Sequence, residues 1–210
     1  TLLHRAEEEL KTIQRELQDT DGLVFIGLPL KHKGKLYNAA AVLNRGRILG
    51  FVPKHHLPNY GEFYEARYFV PGQAVDGYVE WQGEKVPFGQ NLLFHCVEVP
   101  GLCVAAEICE DLWAPNPPSI FHAMAGASLI VNLSASDETT GKDAYRRELV
   151  SGQSARLICG YVYATAGNGE STQDLVFGGQ NMIAENGTIL REAKRFANET
   201  IYGEIDVDRL

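Results

Sequence analysis

Apolar residues recur at steps of three and four through the first turns of the chain, at Leu3, Ala6, Leu10, Ile13 and Leu17, with Glu7, Glu8, Glu9 and Lys11 between them. That period places one apolar stripe on a helix and leaves the charged side in water. Residues 19–22 stop it, and 22–27 read as a short buried strand. Residues 36–43 and 48–52 then alternate as strands around a turn at Asn44-Arg45-Gly46-Arg47, a hairpin pattern. From 53 to about 89 the chain is rich in Tyr, Phe, Pro, Gly and charge and reads as one long loop, a length usually reserved for functional segments. Two strands follow at 91–99 and 102–108, then a helix from 117 or 118 to about 126 and a strand at 128–133. Tyr145, Leu149, Ser154 and Leu157 mark a helix over 143–158, and a strand follows at 161–166. The last segment repeats the hairpin pattern: 176–184, a turn at Glu185-Asn186-Gly187-Thr188, 189–195, and a final strand at 200–206. Helices separate some strands and hairpins join others, so the expected class is α/β with mixed sheets.

Composition narrows the functions open to such a chain. Its 210 residues are 45% hydrophobic and 22% charged, enough apolar material for one domain's core. The balance of 19 basic against 27 acidic residues gives −8, and no basic cluster offers the footprint that nucleic acid requires. No apolar run approaches the roughly 18–20 residues that span a bilayer. The charged N-terminus lacks the apolar core of a signal peptide. Four scattered cysteines without a C-x-x-C pair, and six histidines without ligand spacing, point away from a zinc site and suit a reducing cytoplasm.

Several familiar motifs fail. The nearest approach to a phosphate-binding loop, residues 136–143, has Ser136 for the first glycine and Asp143 for the closing hydroxyl. The dinucleotide fingerprint is absent, and Gly152-Gln153-Ser154-Ala155-Arg156 lacks the second glycine of a serine elbow and falls in a predicted helix. What remains centres on two segments. In A-E-I-C-E-D-L-W, residues 106–113, a strand ends in a cysteine and a polar, Pro-rich turn follows. A thiol there can face a cleft, with the next N–H aimed at the same space, which is where an oxyanion needs a donor. Most cysteines are simply small buried hydrophobes, and Cys96, Cys103 and Cys159 sit in apolar contexts of that kind. Cys109 has three acidic neighbours, which would raise its pKa unless a cation is close. The second segment, K-H-H-L-P-N-Y-G-E-F-Y-E-x-R-Y-F at 54–69, opens with Lys54 where a strand has just ended. A lysine there can lower a thiol's pKa and donate to an oxyanion, or it can be an ordinary solvated side chain. His55 and His56 are either a base pair or loop surface.

These two segments, with N-L-S-A-S at 132–136, resemble the nitrilase superfamily of carbon–nitrogen hydrolases, and most closely the glutaminase domains of glutamine-dependent NAD synthetases. The resemblance runs over nearly the whole chain. It implies an αββα sandwich with a Glu-Lys-Cys triad, in which Cys109 attacks the glutamine side-chain amide, releases ammonia and carries a thioester. Lys54 and the N–H of Glu110 would hold the oxyanion, and Glu62 matches an additional carboxylate that orients Lys54 and the substrate. Tyr60, Glu110 and Ser136 fall where such domains contact the glutamine head group.

The triad's own Glu belongs upstream of the first helix, so the N-terminal strand and loop of the family are expected to be missing and residues 1–210 to be one partial domain. Loss of that acid–base group would cost about 10²–10⁴ in rate, so the resemblance implies a crippled fragment of an active amidase. ATP, magnesium and the S-G-G-x-D-S loop that serves them would belong to a C-terminal NAD synthetase domain, a partner outside this sequence, and the domain itself would need no cofactor or metal. Relatives of this kind assemble as homo-oligomers. Two further readings stay open: the same chemistry on another amide, a nitrile or a carbamoyl compound, and an inactive scaffold.

Overall fold

The computed structural model describes residues 1–73, 75–170 and 174–210, which form two compact units, residues 1–92 and 93–210. The first begins with helix α1 (Leu2–Glu16), capped by the Thr1 hydroxyl, which accepts from the His4 N–H at 3.3 Å. Five strands follow: β1 (Val24–His32), β2 (Lys35–Asn44), β3 (Arg47–Pro53), β4 (Asp76–Trp81) and β5 (Glu84–Gly89), in the order β1-β2-β3-β5-β4. All neighbours are antiparallel except β3 and β5, so the sheet is mixed. Leu10 of α1 packs with Leu28, Tyr37, Leu43, Phe51, Trp81 and Phe88 in the core.

The predicted loop over 53–89 is corrected here: its second half is the β4–β5 hairpin. Val79 and Trp81 alternate with Tyr78 and Glu80, and the inward pair continues as Val86 and Phe88 on the return strand. Pro87 and the surrounding charge obscured that period of two. Position 74 of the segment lies outside the described residues. The turn pairs Gln82 (φ 51°) with Gly83 (φ 83°), the two positive φ values that match the right-handed twist of a hairpin. Lys33-Gly34, Arg45-Gly46 and Asn186-Gly187 have the same pair of positive φ values. Lys33-Gly34 and Gln82-Gly83 carry no Asn or Asp beside the glycine, so residue type alone does not mark them as hairpin turns.

The second unit contains β6 (Phe94–His95), β7 (Cys103–Ile108), α2 (Glu110–Trp113), α3 (Pro118–Met124), β8 (Leu129–Ser134), α4 (Lys142–Leu157), β9 (Gly160–Thr165), β10 (Met182–Glu185) and β11 (Thr188–Glu192). The sheet order is β11-β10-β9-β8-β7-β6, with β7, β8 and β9 parallel. Parallel neighbours need crossovers, which α3 and α4 supply. The expected mixed α/β class with mixed sheets is therefore what the chain forms. Several boundaries differ from expectation, beginning with β1, which runs to His32 and does not end at 27. The strand at 91–99 is only two residues long, the hairpin strand begins at Met182 and not 176, and residues 200–206 are not a strand but lead into a single 3-10 turn at Val207–Arg209. The buried face of α4 is Arg146, Val150, Gln153 and Ser154, whereas Tyr145 is exposed. Arg146 turns inward because carboxylate and carbonyl partners wait for it there, which an apolar-stripe reading cannot anticipate.

The Arg45-Gly46 turn gives a stability test. A Cβ on Gly46 would strike the Gln14 carbonyl in addition to straining a φ of 71°, whereas a Cβ on Gly34 (φ 76°) meets open space. Gly34→Ala should cost about 1 kcal/mol from backbone strain alone. Gly46→Ala should cost at least about 2 kcal/mol more, read as the difference in urea midpoints.

Candidate active site

β7 is buried along its whole length and ends at Ile108, so Cys109 stands at the carboxyl end of a parallel strand, where open α/β sheets place their ligands. One residue turns the strand into α2. Cys109 adopts φ 47° and ψ −100°, a region a non-glycine residue occupies at a cost of about 1–3 kcal/mol and only when its surroundings compel it. The compulsion is visible. Ile108 N–H donates to Asp111 Oδ2 at 2.8 Å, Cys109 N–H donates to Asn132 Oδ1 on β8 at 3.1 Å, and Leu112 N–H returns to the Cys109 carbonyl at 3.1 Å. The thiol is half-buried, unlike Cys103 and Cys159 inside the core. Burial raises the Cys103 thiol and, with the charge of Glu107, pushes Cys159 up to about 12.

The ends of the two neighbouring parallel strands complete this side of the sheet. Ser134 closes β8 and shares a 2.7 Å hydrogen bond with the buried Tyr163 hydroxyl of β9. Burial, then the charge of Cys109, pushes the Tyr163 phenol up to about 12, against Ser134, Arg146 and Ser136. Ser136 is buried; its N–H donates to Thr165 Oγ1 at 3.2 Å, and its hydroxyl accepts from Arg146 Nε at 3.3 Å and Nη2 at 3.2 Å. Arg146 is fully buried and also donates to Glu138 at 2.8 Å, to the Asp137 carbonyl at 2.8 Å and to Gln180. Ser136 is thus fixed by protein partners, and Glu110, next to Cys109 on α2, is half-buried.

In the first unit, Lys54 follows β3 and is 3% exposed. A buried ammonium survives only if paired. Its partner is Glu65, at 2.5 Å, whose other oxygen accepts from Asn38 Nδ2 at 2.6 Å. The main chain is pinned as well, by Lys54 N–H to the Asn38 carbonyl and Gly72 N–H to the Lys54 carbonyl, both 2.8 Å. Glu62, which the sequence reading set against Lys54, is exposed, and Tyr60 is 58% exposed beside Phe63. The carboxylate that meets the ammonium stands three residues further on, one turn along the same motif. His55 donates from Nδ1 to Gln90 Oε1 at 2.5 Å, and burial lowers its pKa against that bond. Asn38, Glu65, Asn132, Tyr163 and Arg146 were not singled out from sequence. Among the described residues, no group of three or more His, Cys, Asp or Glu could hold a metal ion, and no helix is long and apolar enough to cross a membrane.

A profile of the carbon–nitrogen hydrolase family matches residues 2–210. The chain is 44% identical over 208 residues to a glutamine-dependent NAD(+) synthetase of Mycobacterium tuberculosis, covering 99% of this chain and 31% of that protein. It is 31% identical to the enzyme of the same name from Aquifex aeolicus, over 98% of this chain and 32% of the relative. The chain therefore spans about a third of the length of these curated relatives. Among solved structures, a glutamine-dependent NAD(+) synthetase from Cytophaga hutchinsonii superposes with a TM-score of 0.77 at 31% identity, over 90% of this chain and 30% of that one. A carbon–nitrogen hydrolase from Helicobacter pylori shares the fold, with a TM-score of 0.75 at 21% identity over 99% of this chain and 70% of that one.

The four thiols should separate on alkylation. Thiolate, not thiol, reacts with iodoacetamide, and Cys159, pushed up to about 12, carries almost none at pH 8. Peptide mass spectrometry should find Cys96 and Cys109 labelled at least about tenfold faster than Cys103 and Cys159.

Proposed function

Because the chain belongs to the carbon–nitrogen hydrolase family, we propose that it hydrolyses the side-chain amide of glutamine through a thioester on Cys109. The observation that carries this reading is the strained, half-buried cysteine at the end of β7, fixed by Asp111 and Asn132. The Cys109 sulfur attacks the amide carbon and its C–O π electrons move to oxygen. Collapse of that tetrahedral state breaks the C–N bond, the departing nitrogen takes the proton given up by the thiol, and ammonia leaves behind the γ-glutamyl thioester. Water then attacks the thioester, glutamate departs and the thiol is restored. The N–H of Glu110 is one donor to the oxyanion and the family resemblance adds the ammonium of Lys54; donors of this kind lower both barriers, each worth about 10²–10³ in rate. Burial of Lys54 against Glu65 and Asn38 supports that role, since a donor fixed in advance does not have to reorganise during the reaction.

The orienting carboxylate in this reading is Glu65 and not Glu62. Tyr60, Glu110 and Ser136 remain candidates for contact with the glutamine head group, Ser136 as a wall fixed by Arg146. Proton transfer to and from the thiol falls to a carboxylate upstream of α1, which the family resemblance supplies. The glutamine-dependent NAD(+) synthetases that the chain resembles support a further step: the released ammonia would be used by an ATP-dependent synthetase domain. ATP and magnesium would be held there, since the S-G-G-x-D-S loop that serves them in such synthetases does not occur in this sequence.

The test is glutamate production from glutamine by the full-length protein. Cys109→Ala should reduce it at least about 10³-fold. Glu65→Gln should cost about 10–10² in kcat by loosening Lys54, and Glu62→Gln at least tenfold less than that. Equal losses at the two glutamates would return the orienting role to Glu62, and full activity in Cys109→Ala would overturn the reading.

A further inference from the structure

Glu107, Asn132 and Tyr161 are polar, buried, and untouched by any chemical step above. Burying a carboxyl among strands is expensive unless each of its oxygens is hydrogen bonded. Here they are: Ser119 N–H donates to Glu107 Oε2 at 3.0 Å, and the Tyr161 hydroxyl donates to Oε1. Burial raises the Glu107 carboxyl, opposed by its hydrogen bonds from Tyr161, Ser119 and Asn132; burial, then the charge of Glu107, also holds the Tyr161 phenol well above its ordinary range, so the phenol keeps its proton and donates to Oε1. A phenol has one proton. With that proton on Glu107, the Tyr161 oxygen is left to accept, and it accepts from Asn132 Nδ2 at 3.2 Å.

That bond decides which way the Asn132 amide faces. With Nδ2 toward Tyr161, Oδ1 faces β7 and takes the Cys109 N–H at 3.1 Å. The opposite rotamer would set an NH₂ against that N–H and an oxygen against the phenol. An amide side chain is two-faced, and the direction of the chain from Asn132 to Tyr161 to Glu107 removes its choice. The elements agree with this, since Glu107 and Asn132 are register partners on β7 and β8, and Tyr161 lies on β9. The relay thus begins in the core and ends on the main chain of the strained residue, one peptide from the N–H that faces the oxyanion.

We propose that Glu107, Tyr161 and Asn132 form a one-way hydrogen-bond relay that positions the Cys109 backbone for acyl transfer. All three are positioning residues, acting through the Cys109 N–H and not on substrate. The proposal rests on Cys109 being the nucleophile, and its distinctive consequence is a loss in the chemical step without a matching loss of substrate binding.

The experiment uses Tyr161→Phe and Asn132→Leu in the full-length protein, with kcat and KM for glutamine, thermal midpoint, and the rate of Cys109 alkylation relative to Cys96. Tyr161→Phe removes one oxygen and keeps the ring, so it remains informative if Asn132→Leu does not fold. We expect kcat to fall about 10–10²-fold with KM within about twofold, the scale of a small misplacement of reacting atoms. We also expect Cys109 alkylation to change at least fivefold while Cys96 does not. A kcat within twofold of the parent in Tyr161→Phe, or a parallel rise in KM, would overturn the relay. If the parent hydrolyses no glutamine, the substrate reading fails and alkylation decides: a Cys109-specific change supports the relay, and unchanged rates in Tyr161→Phe refute it.

Discussion

A single residue must turn β7 into α2, and the chemistry available to this protein follows from how that turn is held. A cysteine at φ 47° is under strain, and strain persists only where neighbouring contacts outweigh it. Those contacts come from both sides. Asp111 reaches back to the Ile108 N–H, and Asn132 reaches across from the adjacent strand to the Cys109 N–H. Without them the backbone would relax toward ordinary φ values. The parallel order β7-β8-β9 matters for the same reason, because it puts the carboxyl ends of three strands, with Cys109, Ser134 and Thr165, on one edge of the sheet.

A similar logic governs Lys54 within the first unit. An ammonium at 3% exposure is tolerated because Glu65 neutralises it and Asn38 fixes the glutamate. Two main-chain bonds of 2.8 Å hold its backbone in place. The result is a cation whose position is set by the fold and not by solvent. Each of these two arrangements relies on polar groups buried at a cost that hydrogen bonding offsets, and removing any one partner leaves another unsatisfied.

Much of this was legible in the sequence. The helix stripe from Leu3 to Leu17, the Arg45-Gly46 and Asn186-Gly187 hairpins, and the β7-α3-β8-α4-β9 alternation all follow from spacing. Cys109 at a strand end and Lys54 after a strand were also readable, and the family resemblance tied them together. The β4–β5 hairpin was not, because Pro87 and a Gln-Gly turn mask its alternation. Glu65 was missed because a motif fixes spacing along the chain, whereas an ion pair depends on how the loop folds back; the 3-10 turn at Glu65–Arg67 brings Glu65, not Glu62, to the lysine. The relay behind Cys109 was invisible for a related reason. Asn132, Tyr161 and Glu107 are far apart in sequence and meet only through parallel strand register.

The acyl-enzyme itself offers the most direct measurement. Full-length protein mixed with glutamine, quenched in acid within the first turnover and digested, should yield the peptide containing Cys109 carrying a γ-glutamyl group, with Cys96, Cys103 and Cys159 unmodified. Glutamine hydrolysis with no adduct on Cys109, or with the adduct on another cysteine, would contradict the assignment of that strained residue as the nucleophile.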